Sequence, residues 1–256
     1  MGQDHAGFSG IHSMGLGGTG LNELHAASLW QNPALLSKLI GWNFTSEFNR
    51  PIYTLPVGIS TVNASKGNGI HGVSVGFSRL GIQNMADQLI SAGYGIRLNS
   101  KISLGIRLDI NQLSAVSRGF NAHYLTGGMG LYYHLNEKFD LAVFIFNPNR
   151  SSFLLDNQYY RSFSSWEFGL KHTLSEDLSL RIEARHESSL SELEWQSGLQ
   201  YILVKNFQLL FGYRSLSKKY SIGTSFSNRH LDVHIASVWH PDLGFGGGIG
   251  LQYALD

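Results

Sequence analysis

Apolar and polar residues alternate along most of this chain with a period of two. From Leu104 to Ile110 every even position is aliphatic, and the positions between them hold glycine, arginine or aspartate. The last stretch, from Phe245 to Leu255, alternates in the same way. Side chains on a strand point to opposite faces in turn, so each stretch predicts a strand with one apolar face and one small or charged face. The apolar face would line the core of a soluble sandwich or face lipid in an outer-membrane barrel.

One hairpin pattern occurs four times and indicates an all-β meander. It consists of a glycine, a leucine five residues later, an apolar residue four further on and a second leucine two beyond that, and it begins at Gly93, Gly130, Gly169 and Gly198. Extending the alternation predicts fourteen strands, at approximately 40–50, 55–63, 69–80, 87–99, 101–113, 121–135, 138–147, 162–174, 177–187, 191–203, 206–215, 219–227, 230–239 and 244–255. An even number of strands of this length predicts a 14-stranded antiparallel up-and-down transmembrane β-barrel, whose closure leaves no exposed edge.

The connections between the predicted strands fall on two sides. If residue 40 begins a strand that runs outward, the turns of the four repeated hairpins and those near 67–68 and 228–229 share one side. The longest connection, about 147–161, lies on the other side. Short periplasmic turns and longer external loops are typical of outer-membrane barrels, and a wrong strand count would mix the two kinds.

The predicted outward face is apolar and aromatic, as in alternate positions of 94–98, 129–135 and 207–213. Candidates for aromatic belts at the membrane interfaces are Trp42, Trp195, Trp239 and Tyr253.

The predicted inward face carries charges of both signs. A candidate lumen network consists of Arg97, Arg107, Asp109, Arg181, Glu183, Arg185, Asp232 and His234, with Lys171 and Arg214 on the same face. Such charges would be costly in a dry core unless paired, whereas a wet or plugged lumen can hold them as a salt-bridged lattice. On a soluble sheet they could face solvent, but the apolar face would then need a second layer, and no helical layer is predicted.

The composition narrows the possible classes of protein. Charged residues make up 14% of the 256 residues, below the roughly 25% of an average soluble domain. The formal net charge of +1 provides no basic patch for nucleic acid, and the absence of cysteine excludes disulfide and thiolate chemistry. No apolar run approaches the ~18 residues of a membrane helix. Because the sequence shows no signal peptide, we expect that a leader has been removed from an exported, bacterial outer-membrane chain.

The chain divides into two predicted units, residues 1–39 and the barrel at 40–256. The first unit lacks the alternation and combines a glycine-rich stretch with a short helical piece. Barrels of about eight strands fill with side chains and those of about 16–18 leave a channel, so fourteen strands leave a gap that side chains alone do not fill. We therefore expect residues 1–39 to plug the lumen, and the candidate plug residues are Gly17, Gly18, Asn32 and Pro33.

Two stretches of the first unit carry a resemblance to known families. They are Ser13-Met14-Gly15-Leu16-Gly17-Gly18-Thr19-Gly20 and Ala26-Ala27-Ser28-Leu29-Trp30-Gln31-Asn32-Pro33-Ala34. In order and spacing they resemble the start of the PorV/PorQ family and, more distantly, of the FadL family of outer-membrane barrels. The resemblance implies fourteen strands and an N-terminal segment inside the lumen. Members often carry adjacent acidic residues before Asn-Pro-Ala, whereas this chain has only Glu23 there.

Three short motifs lack the context that their chemistry requires. The stretch 15–20 fits the dinucleotide pattern G-x-G-x-x-G, but no buried strand precedes it and no acidic partner follows it. The stretch 72–76 fits the nucleophile pattern G-x-S-x-G, but it lies within a predicted strand. His230 and His234 would lie about 13 Å apart on a strand, too far for a shared metal. We therefore expect no enzymatic activity, no cofactor and no metal.

Three functions are compatible with the sequence. The PorV-like resemblance implies an accessory subunit of a larger outer-membrane protein secretion or biogenesis assembly, similar to type IX secretion, with the lipid-facing wall docked on a partner barrel. The alternative is a FadL-like channel for hydrophobic small molecules. Such a channel needs an apolar pocket inside the barrel and a lateral opening. The few apolar residues on the predicted inward face are Phe144, Phe146, Ile202 and Leu210. The third is an enzyme or a soluble β protein. The expected partners are outer-membrane lipid and a larger outer-membrane protein complex, with no nucleic acid.

Overall fold

The computed structural model is a β-barrel with short helical pieces before its first strand, and it describes residues 10–25, 27–82, 85–115, 120–155 and 158–255. The helices are α1 (Ile11–Gly15), α2 (Ser28–Gln31) and a 3₁₀ helix at Pro33–Lys38. The strands are β1 (Ile40–Arg50), β2 (Gly58–Asn68), β3 (His71–Ile82), β4 (Met85–Arg97), β5 (Ile102–Ala115), β6 (Phe120–Asn136), β7 (Phe139–Phe146), β8 (Ser152–Leu155), β9 (Gln158–Arg161), β10 (Ser165–Thr173), β11 (Leu178–Glu187), β12 (Glu194–Val204), β13 (Phe207–Arg214), β14 (Lys219–Asn228), β15 (Leu231–His240) and β16 (Gly244–Leu255). Among these residues no helix is both long and apolar enough to cross a membrane.

Fourteen of the strands form one closed barrel, and β8 and β9 form a separate two-stranded sheet. All barrel pairings are antiparallel, and the barrel closes where Trp42 on β1 lies opposite Leu255 on β16. β7 pairs directly with β10, so the β8–β9 hairpin lies outside the wall. The predicted fourteen-stranded antiparallel barrel is confirmed, and no described barrel strand has a free edge.

Side chains alternate between the lumen and the outer surface, as the period of two predicts. On β1, Glu47 is buried and its neighbour Phe48 is exposed. On β5, Arg107 and Asp109 are buried, whereas Leu108 between them is 68% exposed. The outer surface thus carries the large apolar side chains, and the polar and charged side chains face the lumen.

The two ends of the barrel differ in their connections. Tight turns join β2 to β3, β4 to β5 and the four later pairs at what we call the tight-turn end, and the longer connections lie at the loop end. On the outer surface, Trp42 and Tyr253 lie near the tight-turn end, and Trp195 and Trp239 lie near the loop end. Aromatic residues at both ends of an apolar band are typical of membrane interfaces.

The structure differs from the prediction in the connection at 147–161. The strands β8 and β9 pair there as a hairpin, where the sequence predicts only a loop. Each has four residues, less than half the length of a membrane strand, so a strand-length criterion does not detect them. Some barrel strands also begin two or three residues from the predicted position, as at Met85 and Glu194.

Candidate functional site in the barrel lumen

We call the described residues between 10 and 39 the inner segment. They pack against the lumen-facing side of the wall, and most of them are buried. Glycines on the wall allow this approach, because a Cβ at any of eleven positions would come closer than 3.0 Å to the inner segment. These positions are Gly67, Gly72, Gly76, Gly93, Gly95, Gly105, Gly130, Gly169, Gly198, Gly212 and Gly248. The small residues of the inward face therefore form the surface on which the inner segment lies. Residues 1–9 and 26 of the predicted plug lie outside the described residues, and closure of the lumen by this unit stays a prediction.

Gly17 and Gly18 form a tight bend of the inner segment, with φ angles of 71° and 90°. Residues with a Cβ rarely adopt such angles. A Cβ on Gly17 would also lie 2.6 Å from the backbone nitrogen of Tyr213, and one on Gly18 would overlap the guanidinium of Arg214. Both candidate plug residues therefore need to be glycine for conformation and for space.

Asn32 and Pro33 begin the 3₁₀ helix and connect it to the wall. The Asn32 side chain accepts from the backbone of Ala34 at 3.1 Å, and it donates to the carbonyls of Leu21 at 3.0 Å and Leu131 at 3.2 Å. Leu131 is on β6, so one buried side chain joins two parts of the inner segment to the barrel. Pro33 has no backbone donor to satisfy at the first helical position.

Two lumen carboxylates bind the inner segment through its backbone. Glu183 on β11 accepts hydrogen bonds from the amides of Gly20 and Leu21, each at 2.8 Å. Glu47 on β1 accepts from the amide of Ile11 at 3.1 Å. These bonds satisfy the first amide of α1 and two amides in irregular backbone, which would otherwise be buried without a partner at a cost.

Two lumen arginines bind backbone carbonyls of the same segment. Arg107 on β5 donates to the carbonyls of Leu29 at 3.2 Å and Trp30 at 2.6 Å. Arg214 on β13 donates to the carbonyl of Gly17 at 2.8 Å. Carboxylates and guanidinium groups on four strands, β1, β5, β11 and β13, thus bind the backbone of the inner segment.

Arg107 is also part of a buried charge cluster. Its Nε lies 3.1 Å from the Asp109 carboxylate, which accepts a second hydrogen bond from Ser91. The guanidinium carbon lies 5.2 Å from the ring centre of Phe144 and 5.4 Å from that of Phe146, within the range of cation–π attraction. Paired and hydrogen-bonded in this way, the charge is tolerated in the interior.

A second charge cluster joins β11 to the inner segment. Arg181 pairs with Glu23, and it donates to Gln200 at 2.6 Å and to Ser179 at 3.2 Å. Burial raises the pKa of Glu23, but Arg181 lowers it more in combination with nearby histidines and Lys171, and the resulting pKa is about 2. Glu23 therefore stays ionised at neutral pH.

The eight candidate network residues are in the lumen wall, but the contacts divide them into groups. Arg107 pairs with Asp109, and Arg181 and Glu183 each bind the inner segment. Arg185 pairs with Glu167 at 3.5 Å and Glu187 at 3.2 Å, two residues outside the predicted network. His234 contacts Ser225 at 2.7 Å. Asp232 is half-buried, and Arg97 is exposed at the tight-turn end. The direct contacts thus form local clusters around the inner segment.

Sequence reasoning missed several lumen residues for different reasons. Glu47 shares the inward parity of its strand, so strand parity alone could have identified it. Glu23 and His25 lie in irregular backbone, where no periodicity indicates the direction of a side chain. His12 is in a five-residue helix, too short for its periodicity to be detected.

Three histidine rings meet where the inner segment packs on β15. The ring centre of His12 lies 5.2 Å from that of His234 and 6.0 Å from that of His25. Burial lowers the pKa of His12 to about 3 and that of His25 to about 4, so both are neutral at pH 7. Within the described part of the chain, no group of three or more histidine, aspartate or glutamate side chains is arranged to hold a metal.

A small cavity of about 40 Å³ remains between the inner segment and the wall. Trp30, Phe144 and Phe146 line one part of it, and charged groups including Arg185 and Glu183 line another. A cavity of about 150 Å³ can hold benzene, so this cavity is too small for an aromatic molecule unless neighbouring side chains move.

Aromatic residues from the connection between β7 and β10 pack on lumen-facing residues of the wall. Phe163 packs on Phe146 with ring centres 5.5 Å apart, and it belongs to a buried cluster with Leu21 of the inner segment. Phe153 on β8 stacks on the buried Tyr124 with ring centres 4.6 Å apart. Phe146 thus belongs both to the cavity lining and to an apolar cluster that includes Phe163 of the connection.

Several solved structures share this fold, although no protein-family model matches the chain and a search of curated proteins gives no match. The toluene transporter TbuX of Ralstonia pickettii has a TM-score of 0.70 at 11% identity, over 96% of this chain and 98% of that one. The toluene transporter TodX of P. putida has a TM-score of 0.72 at 13% identity, over 96% and 98%. A Pseudomonas aeruginosa FadL homologue has a TM-score of 0.69 at 10% identity, over 96% and 98%. The chain therefore has the fold of FadL-like barrels, and these matches do not single out the PorV/PorQ family.

Proposed function

We propose that this protein is a non-enzymatic channel of the bacterial outer membrane that admits small hydrophobic molecules, with the inner segment as its plug. The observation that supports this proposal most directly is the aromatic lining of the lumen cavity. Trp30, Phe144 and Phe146 line the cavity, whereas most other inward side chains of the barrel are polar. The shared fold supports the proposal, because two of the similar structures are those of toluene transporters. The exposed apolar outer surface fits a barrel embedded in lipid.

The hydrophobic solute would pass from the aromatic residues of the connection between β7 and β10 to the cavity. Phe163 and Phe146 form a continuous apolar contact from the connection into the lumen. Because the cavity holds only about 40 Å³, the solute would have to displace Trp30 or the backbone near Leu21. Movement of the inner segment is therefore part of the proposed transport step.

Uptake of labelled toluene by cells tests this function, in a Gram-negative host that lacks its own channel of this kind. Expression of the chain should raise the uptake rate severalfold over that of cells with an empty vector. Ser165→Leu would place extra volume in the cavity and should abolish most of that increase. Ser46→Leu makes the same change on the outer surface and should leave uptake unchanged. Equal uptake with and without the chain would overturn the proposal.

A second candidate function is an accessory subunit of a larger outer-membrane protein assembly, of the kind that the PorV-like resemblance implies. The observation that favours it is the packing of the inner segment on the wall, since the lumen cavity lined by Trp30, Phe144 and Phe146 has only about 40 Å³ for a solute. On this hypothesis the outer wall contacts lipid and a partner barrel. Purification of the tagged chain from gently solubilised native membranes, followed by mass spectrometry, should then recover a much larger barrel in constant proportion. Recovery of the chain alone would exclude this function.

A further inference from the structure

The three buried histidines belong to the junction between the inner segment and the wall, and neither proposed function uses them. His12 is on α1, His25 is in the irregular stretch that follows, and His234 is on β15. The α1 helix packs on β13, β14, β15, β16 and β1. The histidines therefore lie at the place where the inner segment would have to separate from the barrel.

The surroundings of Nδ1 in two of these rings favour the neutral form of the histidine. Nδ1 of His25 accepts from the amide of Ala27 at 3.0 Å, so a proton on Nδ1 would replace this bond with two opposed N–H groups. Nδ1 of His12 is buried without a hydrogen-bond partner among the described residues, so a proton there would gain no acceptor. Protonation of either ring is thus disfavoured while the segment is docked.

The carboxylate that acts on His12 and His25 is Glu23, and it is already paired with Arg181. The charged groups that act on these rings are the carboxylates Glu23 and Asp232 and the cation Arg181. The strands that pack on α1 also carry Glu47 and Arg50 on β1, Arg214 on β13 and Lys219 on β14. Of these, Glu47 accepts a backbone amide. Each added proton would therefore introduce an uncompensated positive charge about 5–6 Å from another ring, in a site of low dielectric.

We propose that His12 and His25, together with His234, form an acid-sensitive latch that releases the inner segment from β13–β16 and β1 when the pH falls. The released segment exposes the rings to water, where a histidine takes up a proton near pH 6.5. The released state then binds more protons than the docked state, so acid favours release by up to about tenfold per histidine for each pH unit below about 6.5. The latch does not depend on which solute passes or on whether any solute passes.

Hydrogen–deuterium exchange of the purified full chain in lipid or detergent tests the latch. The reporters are the amides of Ile11 and Gly17, which donate to Glu47 on β1 and Ser221 on β14. After correction for the intrinsic effect of pH, their protection should fall by about 100-fold or more between about pH 6.5 and 4.5. Amides of the β5–β6 ladder serve as an internal reference and should stay protected. Unchanged protection of the reporters, or an equal loss in the β5–β6 ladder, would overturn the proposal.

A double variant separates the histidines from other acid effects. His25→Asn keeps a side-chain acceptor for the Ala27 amide, and His12→Gln removes the second titrating ring. In this variant only His234 of the three rings still titrates, so the pH slope of the reporters should fall to about a third of the parent value. His123→Gln, at an exposed position on β6, should behave as the parent chain does. If the double variant does not fold, His25→Asn alone should lower the pH slope of the reporters by about a third, and an unaltered slope would contradict the latch.

Discussion

Gly105 shows how one lumen-facing residue fixes the position of the inner segment. A Cβ there would overlap the backbone of Pro33 and Ala34, and backbone cannot rotate away as a side chain can. Gly105→Ala should therefore weaken docking of the 3₁₀ helix by about 1–3 kcal/mol, the usual cost of an extra carbon in a packed interior. Faster amide exchange at Leu35 and Leu39, which bond within this helix, measures the effect.

The matched control for this prediction is Gly58→Ala. Its Cβ would meet the ring of Phe48 at 3.0 Å on the outer surface, where the ring can turn aside. Exchange in the 3₁₀ helix should then equal that of the parent chain. If Gly105→Ala also leaves exchange unchanged, the inner segment does not rest on the wall at this glycine.

At the scale of single residues, the sequence predicts which way a side chain points better than it predicts which residue that side chain contacts. Strand parity places Arg107, Arg181 and Glu183 on the inward face, because a strand fixes where each side chain points. It does not predict that Arg181 pairs with Glu23 or that Glu183 binds the amide of Gly20, since these partners lie in irregular backbone. Contacts between a regular and an irregular part of a chain depend on packing in three dimensions, which has no period along the sequence.

The β8–β9 hairpin is an element that the barrel ladder does not include. Its ends are already joined, since the amide of Ser162 donates to the carbonyl of Ser151 at 2.8 Å. Replacing residues 152–161 with two glycines should leave the barrel folded and lower its stability by about 0.5–1.5 kcal/mol, the value of one aromatic stack, here that of Phe153 on Tyr124. Thermal unfolding, followed by gel migration of the folded form, measures this change.

A point variant isolates the stack from the rest of the hairpin. Phe153→Ala keeps both strands and should cost about the same as the deletion, because each change removes the packing of the Phe153 ring on Tyr124. A deletion that prevents folding, while Phe153→Ala folds normally, would show that the hairpin contributes to assembly of the wall.

The fourteen wall strands are predictable as elements because each repeats one local rule, alternation over about ten residues between turn-forming residues. The hairpin at 152–161 escapes the rule because its strands are too short for alternation to be distinguished. The ends of strands are less predictable for a related reason. Met85 and Glu194 mark strand starts that depend on pairing with a neighbour, not on the hydrophobic pattern.

The whole molecule places apolar side chains outside and charged side chains inside, the reverse of a soluble domain. Several mutually dependent features follow from this arrangement. A closed wall removes free strand edges, its inward glycines accommodate the inner segment, and the segment supplies partners for Arg107 and Arg181. The arrangement is stable only if hydrocarbon covers the outer surface, since water would otherwise contact a continuous apolar band.

Placement in a bilayer can be tested on β5. Leu108 is 68% exposed near the middle of the apolar band, and arginine there would bring a charge into the bilayer centre. Leu108→Arg should lower the unfolding free energy in lipid vesicles by about 2–4 kcal/mol, the cost found for cations at the midplane of such barrels. Denaturant titration of the folded chain in vesicles, with tryptophan emission as the signal, measures this loss.

Leu98→Arg provides the matched control, because Leu98 is also exposed but lies at the tight turn before β5, where the interface is wet. Its cost should be only about 0–1 kcal/mol, since the charge can reach water and lipid headgroups. The difference between the two costs in unfolding free energy reports the depth of each residue in the membrane. Both variants replace an exposed leucine with arginine, and only the position along the barrel differs. Equal, small costs for both would mean that water surrounds the middle of the barrel as well as its end, and the wall would then not span a bilayer.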